Sequence, residues 1–458
     1  RRCVHRLLCL AARPRPAGGV PGWPPDHSSG GVPAATRGGR RWRDPAAMLL
    51  LLLSVVSAAA IEFGLASTAS AVLTGEAGSF TVQQETYYSA PITLEAGHMV
   101  FTDYAKTRLK MPSGEYAITY FIGDIVFADT HQPVPLSDVY DHHWIAVSSA
   151  HRNQLCRNSN IEYVFGIGAE SRHSPVSFSP GFGYHVANGT YWGANIHLLR
   201  TEGLAGDNPY RAAKECNECY YSPGKAEGCT PAYNGTFRCC GELNNRTAAN
   251  SSCAVGPNPP AARDYQLRYT FNYTRDVARV RPVYVGTLAA PNCAVFYHVQ
   301  RNETQPTDHV SFSFTVPARM TLLFAVGHLH TGGLNISLSL NGRAVCTSLP
   351  TYGTELGVAG NEKGYLVHMS HCIDSSTGVL ELRKGDELAI DGHYFVGSHD
   401  PRLLYSDGTH LNVMSYLYVG YYRPGESKRR DLDAAFWGEL QGPAARVVGG
   451  LALPLVEA

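Results

Sequence analysis

The sequence predicts an all-β fold: two jelly-roll-like β-sandwich domains with a disulfide-rich insertion between them. Three observations predict it. Leu334-Asn-Ile-Ser-Leu-Ser-Leu340 alternates apolar and polar residues, meets Asn341-Gly342 and resumes as Arg343-Ala-Val-Cys-Thr347, which is the pattern of a tight hairpin. Short apolar runs recur throughout between Gly, Pro, Asn and Asp turns, while a 3.6-residue period is scarce. A cysteine-dense segment then separates two sets of such runs.

Taken in chain order, residues 1–47 hold nine Arg against Asp26 and Asp44, a charge of +7, without apolar periodicity. They are expected to be an extension that is not native to the protein, with Met48 as the true start; an Arg-rich transit peptide is the competing reading. Residues 48–71 fit a secretory signal: Leu49–Leu53 and Ser54-Val-Val56 supply the apolar core, and cleavage is expected after Ala59, Ala60 or Ala71. Residues 72–200 form the first expected sandwich, with a strand at 117–127. Residues 201–262 form the insertion, with Cys216, Cys219, Cys229, Cys239, Cys240 and Cys253. Residues 263–424 form the second sandwich, with strands at 266–273, 310–316, 321–326, 364–369 and 415–422. A polar tail, 425–458, closes the chain, and no run reaches the ~20 apolar residues that a membrane-spanning helix needs.

The net charge of the whole chain is zero, so the +7 at the start leaves −7 on the remainder. An acidic body argues against nucleic acid as a partner, because nucleic-acid binding leaves a basic footprint. Seven Asn-x-Ser/Thr sequons, at Asn188, Asn234, Asn245, Asn250, Asn272, Asn302 and Asn335, point to a secreted, N-glycosylated protein. Twelve cysteines less Cys3 and Cys9 leave an even ten. In an oxidising compartment these are expected to pair, rather than form the zinc knuckle or redox motif that Cys216-x-x-Cys219 also suggests.

The residues able to carry chemistry are histidines. His328 and His330 flank Leu329 after a strand-like run, and a strand repeats every two residues, so both rings leave one face. Met414 and His410 share one face of a later run and are candidates to complete that site. Imidazole with thioether favours copper, Cu(I) above all. Upstream, His142-His143 is an adjacent pair. Strand neighbours face opposite sides, so the two can share one ion only if the backbone bends there. His197 is the partner that would complete a three-imidazole set.

These residues also carry a resemblance. Tyr140-Asp-His-His-Trp144, Gly166-Ile-Gly-Ala-Glu170, Cys216-Asn-Glu-Cys219, Val326-Gly-His-Leu-His-Thr-Gly-Gly333, Asn361-Glu-Lys-Gly-Tyr365 and His410 to Met414 resemble the stress up-regulated nodulin family of plants and green algae. At greater distance they are similar to the copper type II, ascorbate-dependent monooxygenases, peptidylglycine hydroxylase and dopamine β-hydroxylase. That resemblance implies an electron-transfer copper on His142, His143 and His197. It also implies an oxygen-activating copper on His328, His330 and Met414, an open cleft between the two, Tyr418 near the substrate, and ascorbate as electron donor. The chain departs from peptidylglycine hydroxylase at Val326, where that enzyme holds the substrate carboxylate with Arg, and at Ser415 and Tyr416. A C-terminal glycine is therefore not the expected substrate.

The expected function is that of a secreted stress-related glycoprotein with two copper sites, hydroxylating a C–H bond of a small-molecule, peptide or cell-wall substrate. The alternative is a non-catalytic extracellular β-sandwich protein that binds metal, glycan or protein.

Overall fold

The computed structural model describes residues 69–75, 78–149, 162–204, 218–219, 236–237, 256–292, 294, 297–299, 304–397 and 412–425. All of them belong to a compact unit that begins at Gly64. Among these residues the regular structure is β, with two single-turn 3-10 helices, Ser171–His173 and Val277–Arg279, and no α-helix.

The first sandwich pairs an eight-stranded sheet with a four-stranded one. The larger runs β1 (Ala69–Gly75), β2 (Gly78–Tyr88), β13 (Arg263–Thr274), β5 (Tyr116–Phe127), β9 (Phe182–Val186) and β14 (Arg281–Pro282). Two short strands lie off that path, β3 (Ile92–Leu94) on β13 and β8 (Val176–Ser177) on β5. The smaller sheet runs β4 (Met99–Phe101), β10 (Trp192–Arg200), β6 (Val139–Ser148) and β7 (Glu162–Phe165). Aromatic side chains join the two sheets: Phe121 stacks on Phe165 at 4.3 Å and leans on Trp144 at 5.8 Å.

In the second sandwich, β15 (Tyr284–Ala289), β27 (Ser415–Tyr422), β18 (Met320–Leu329) and β23 (His371–Ile373) form one sheet, with β24 (Leu380–Leu382) also on β18. The other runs β17 (Thr307–Thr315), β25 (Glu387–Phe395), β19 (Gly333–Leu340) and β20 (Arg343–Ser348). Three two-stranded ribbons complete the set: β11 (Glu218–Cys219) with β12 (Thr236–Phe237), β16 (Tyr297–His298) with β26 (Asn412–Val413), and β21 (Pro350–Tyr352) with β22 (Leu366–Met369). The Asn341-Gly342 hairpin is present between β19 and β20, both turn residues at positive φ (50° and 78°), the geometry for which that dipeptide is favoured. A disulfide, Cys346–Cys372, ties β20 to β23 across the sandwich.

Burial follows position in the stack. β17 alternates exposed and half-buried residues and lies at the surface, whereas β6, β10 and β18 are buried almost throughout. A strand covered on both faces has no polar face to show, so Met-Thr-Leu-Leu-Phe-Ala-Val of β18 reads as a continuous apolar run. The sheets that carry these strands meet between the sandwiches. Phe178 touches Phe324 at 6.4 Å, Phe182 touches Tyr422 at 4.9 Å, and one buried core continues through both halves.

Two expected boundaries fall differently on these strands. β13, Arg263–Thr274, lies within the span expected for the second sandwich but pairs with β2, β3 and β5 of the first. The chain leaving the insertion thus returns to the centre of the first sheet before it crosses over. β1 begins at Ala69, so signal cleavage after Ala71 would cut that strand, whereas cleavage after Ala59 or Ala60 leaves it whole. Within the insertion, residues 201–204, β11, β12 and residues 256–262 are described; the rest, with its three sequons and five of its six cysteines, lies outside the described residues.

Candidate metal centre

The centre is built first from a defect in pairing. β6 and β10 are in register at His197↔His143, but the next pair is Leu198↔Asp141, so His142 is an extra residue with no opposite number. Such a bulge bends its strand and turns one side chain. It supplies the bend that two adjacent histidines need if they are to share an ion. The rings of His142 and His143 lie 5.4 Å apart, those of His142 and His197 4.4 Å, and those of His143 and His197 5.1 Å. One nitrogen from each lies within 4.8 Å of the others, and all three side chains are buried. Among the described residues no other group of His, Cys, Asp and Glu meets that condition.

Hydrogen bonds set the tautomers. Asn195, two residues before His197 on β10, donates from Nδ2 to the Thr102 carbonyl, which turns its Oδ1 towards His143 Nε2 at 2.7 Å. An amide oxygen only accepts, so His143 carries its proton on Nε2 and keeps a lone pair on Nδ1. That Nδ1 lies 3.3 Å from Nδ1 of His142. Burial, with His143 adding to it, pushes the His197 ring well below the usual imidazole range, so it is neutral and able to ligate. Phe101 closes the group edge-on, 5.7 Å from His143 and 5.3 Å from His197. Three neutral or neutralisable imidazoles in a dry pocket suit zinc or copper.

His328 lies near the end of β18 in the second sandwich and His330 directly follows that strand, their rings 5.5 Å apart. His328 Nδ1 is 2.5 Å from Oε1 of Glu170, which is only 1% exposed. Tyr416 stacks on the His328 ring at 6.1 Å, opposite it in the β18–β27 ladder. The hydroxyl of Tyr394 accepts from the His330 backbone N–H at 2.6 Å and donates to the Met414 carbonyl at 2.5 Å. One phenol thereby holds the His330 and Met414 backbones side by side, and Met414 is buried. Tyr418, opposite Val326, is buried on the same sheet. Burial pushes its phenol up, a hydrogen bond with Thr287 opposes this and Glu170 adds to it, so the group keeps its proton. His410 lies outside the described residues.

The two histidine groups are not separated by the open cleft that the monooxygenase resemblance implies. The His142 and His330 rings meet edge to face at 5.4 Å. Gly168 explains how the sandwiches come so close. A Cβ there would run into the His142 carbonyl oxygen and lie 3.2 Å from Cε1 of His328.

Sequence reasoning did not single out Asn195, Glu170, Gly168 or Tyr394. Asn195 had a signal, its i−2 position on the strand face of His197. Glu170 and Gly168 stand in the Gly-Ile-Gly-Ala-Glu stretch, but nothing local says that it crosses to the other sandwich. Asp141, the residue beside the pair, is buried within electrostatic reach of Arg172 and Glu170. Burial pushes its carboxyl well above the usual carboxylate range, Arg172 opposing and Glu170 adding, and its Oδ1 has no hydrogen-bond partner.

Fold and site together define an all-β protein of paired sandwiches with buried histidines where the two meet. Residues 80–419 match the stress up-regulated Nod 19 family, and the chain belongs to it. No curated protein matches the chain. Among solved structures, the VP2 subviral particle of infectious bursal disease virus is similar at 10% identity and a TM-score of 0.16, over 78% of this chain and 74% of that one. The insecticidal delta-endotoxin Cry8Ea1 of Bacillus thuringiensis gives 6% and 0.18, over 79% and 54%. PNGF-II gives 10% and 0.25, over 73% and 65%. TM-scores this low carry no argument about function.

Proposed function

We propose that this member of the family is a secreted, glycosylated copper protein and that its histidine centre works with ascorbate and dioxygen to hydroxylate a C–H bond. The observation that carries the reading is the set of three buried imidazole donors, His142, His143 and His197, within 4.8 Å of one another. Copper held there and at His328, His330 and Met414 would supply one-electron chemistry, with substrate, dioxygen and ascorbate giving hydroxylated product, water and dehydroascorbate. The chain's own residues do the positioning. Asn195 holds His143 in the tautomer that ligates through Nδ1. Glu170 accepts the Nδ1 proton of His328, leaving Nε2 for a ligand. Tyr418 stays protonated beside the second site. Secretion is supported by the seven sequons and by the Cys346–Cys372 disulfide.

A second reading, non-catalytic metal binding, is favoured by one observation: the five histidines and Met414 are each 6% exposed or less. The experiment is to secrete the full chain from eukaryotic cells, measure its metal by mass spectrometry, and follow oxygen uptake with ascorbate. Copper with ascorbate-dependent uptake abolished in His142→Ala supports the first reading. Copper without uptake selects the second, and zinc or no metal overturns both.

A further inference from the structure

We propose that the histidines of the two sandwiches form one coupled two-ion centre, rather than two independent metal sites, with Glu170 setting the orientation of its far end. The inference rests on the metal-binding reading above and goes beyond it, because the resemblance implies two ions on either side of an open cleft.

The geometry points to it ring by ring. His143 and His197 are 5.1 Å apart, His197 and His142 4.4 Å, His142 and His330 5.4 Å, and His330 and His328 5.5 Å. The step that passes from the first sandwich to the second, at 5.4 Å, is no longer than the longest step within one, 5.5 Å. An imidazole nitrogen binds zinc at about 2.0 Å, and copper is similar in size. Ions placed on His142 and on His330 therefore share one gap, and separations of about 3.5–4 Å are typical of two-metal sites.

Two further features hold the gap closed. Gly168 sits between the His142 carbonyl and the His328 ring, where a Cβ would not fit, so the main chain of one sandwich rests on the ligand of the other. Glu170, two residues on, bonds His328 Nδ1 from across the same interface at 2.5 Å. The stretch that follows β7 is thus a spacer for the centre as a whole. The ligands it joins belong to different sandwiches, so the spacing between the two pockets is kept only while the interface stays shut.

The test is spin counting on the full-length chain loaded with Cu(II) alone. Unpaired electrons a few ångströms apart couple, which gives a half-field transition or removes intensity; well-separated ions give ordinary spectra whose integral equals the copper content. Two coppers per chain with a half-field transition, or with clearly less than two spins, is the expected result. In His330→Gln, copper should fall to one per chain and the remaining signal should integrate in full. Far-UV circular dichroism of that variant, unchanged from the parent, guards against misfolding. Two coppers with two uncoupled spins would overturn the inference and leave the copper reading intact, as would one copper that His330→Gln does not affect. No bound copper would overturn both. Gly168→Ala gives an independent check: coupling should be lost first, with copper still bound at His142, His143 and His197.

Discussion

A metal site made of histidines depends on which nitrogen of each ring is left bare, and here neighbours decide that. Asn195 is pinned by Thr102 and can only accept from His143 Nε2, so Nδ1 is the nitrogen able to ligate. Replacing Asn195 with Leu keeps the size and removes the acceptor. Partners of this kind are typically worth about 10–100-fold in metal affinity. Asn195→Leu should weaken copper binding by that factor while His143 remains, measured by competition with a chelator of known affinity. Unchanged affinity would mean that His143 ligates through its other nitrogen or not at all. The histidines themselves were legible as a pattern, His-His and His-x-His. Their supports were not, since Glu170 and His328 lie 158 positions apart and meet only through folding.

At the level of strands, legibility depended on how many faces each one buries. Surface strands such as β17 and β19 kept a two-residue alternation that sequence reading finds, and Asn341-Gly342 marked its hairpin. β6 did not, because it is covered on both sides and its bulge at His142 leaves no local mark beyond the adjacent histidines themselves. The turn between β23 and β24 carries a testable charge. Burial raises the Asp374 carboxyl, but hydrogen bonds from Ser376 and Thr377 outweigh this and hold it at about 2. A carboxylate depressed in the fold contributes stability above its unfolded value, near 4, and loses it as pH falls through the folded one. The parent should therefore be more stable than Asp374→Asn at pH 6, and the difference should shrink between about pH 4 and pH 2. Urea midpoints for both proteins across that range check it; a gap that is constant with pH would show that the side chain acts by shape alone.

For the molecule as a whole, the centre requires the two sandwiches to stay docked, and the docking is partly ionic. Arg172 follows Glu170 by two residues and reaches Asp124 at 3.3 Å and Glu362 at 3.5 Å, while Arg268 bonds the same Asp124 at 2.8 Å. Glu362, 1% exposed, comes from the loop between β21 and β22 of the second sandwich. It also accepts the Leu136 backbone N–H of the first at 2.8 Å, and Gly360 N–H within its own loop at 3.0 Å. Around it Tyr140, Leu136 and Ala169 pack with Tyr365 and Val367, an apolar seal across the same interface. A buried charge in such a network is costly to remove alone, because its partners remain in the interior; losses of about 3–5 kcal/mol are typical. Glu362→Ala should lose that much in denaturant unfolding. Glu362→Gln, which keeps an acceptor for Leu136 N–H, should lose less. Since the network and the histidines share the stretch from Gly168 to Arg172, Glu362→Ala should also raise hydrogen exchange at Gly168–Ser171 and at His328–His330 together. Faster exchange at only one of the two segments would show that the sandwiches are held at the centre by something other than this ionic latch.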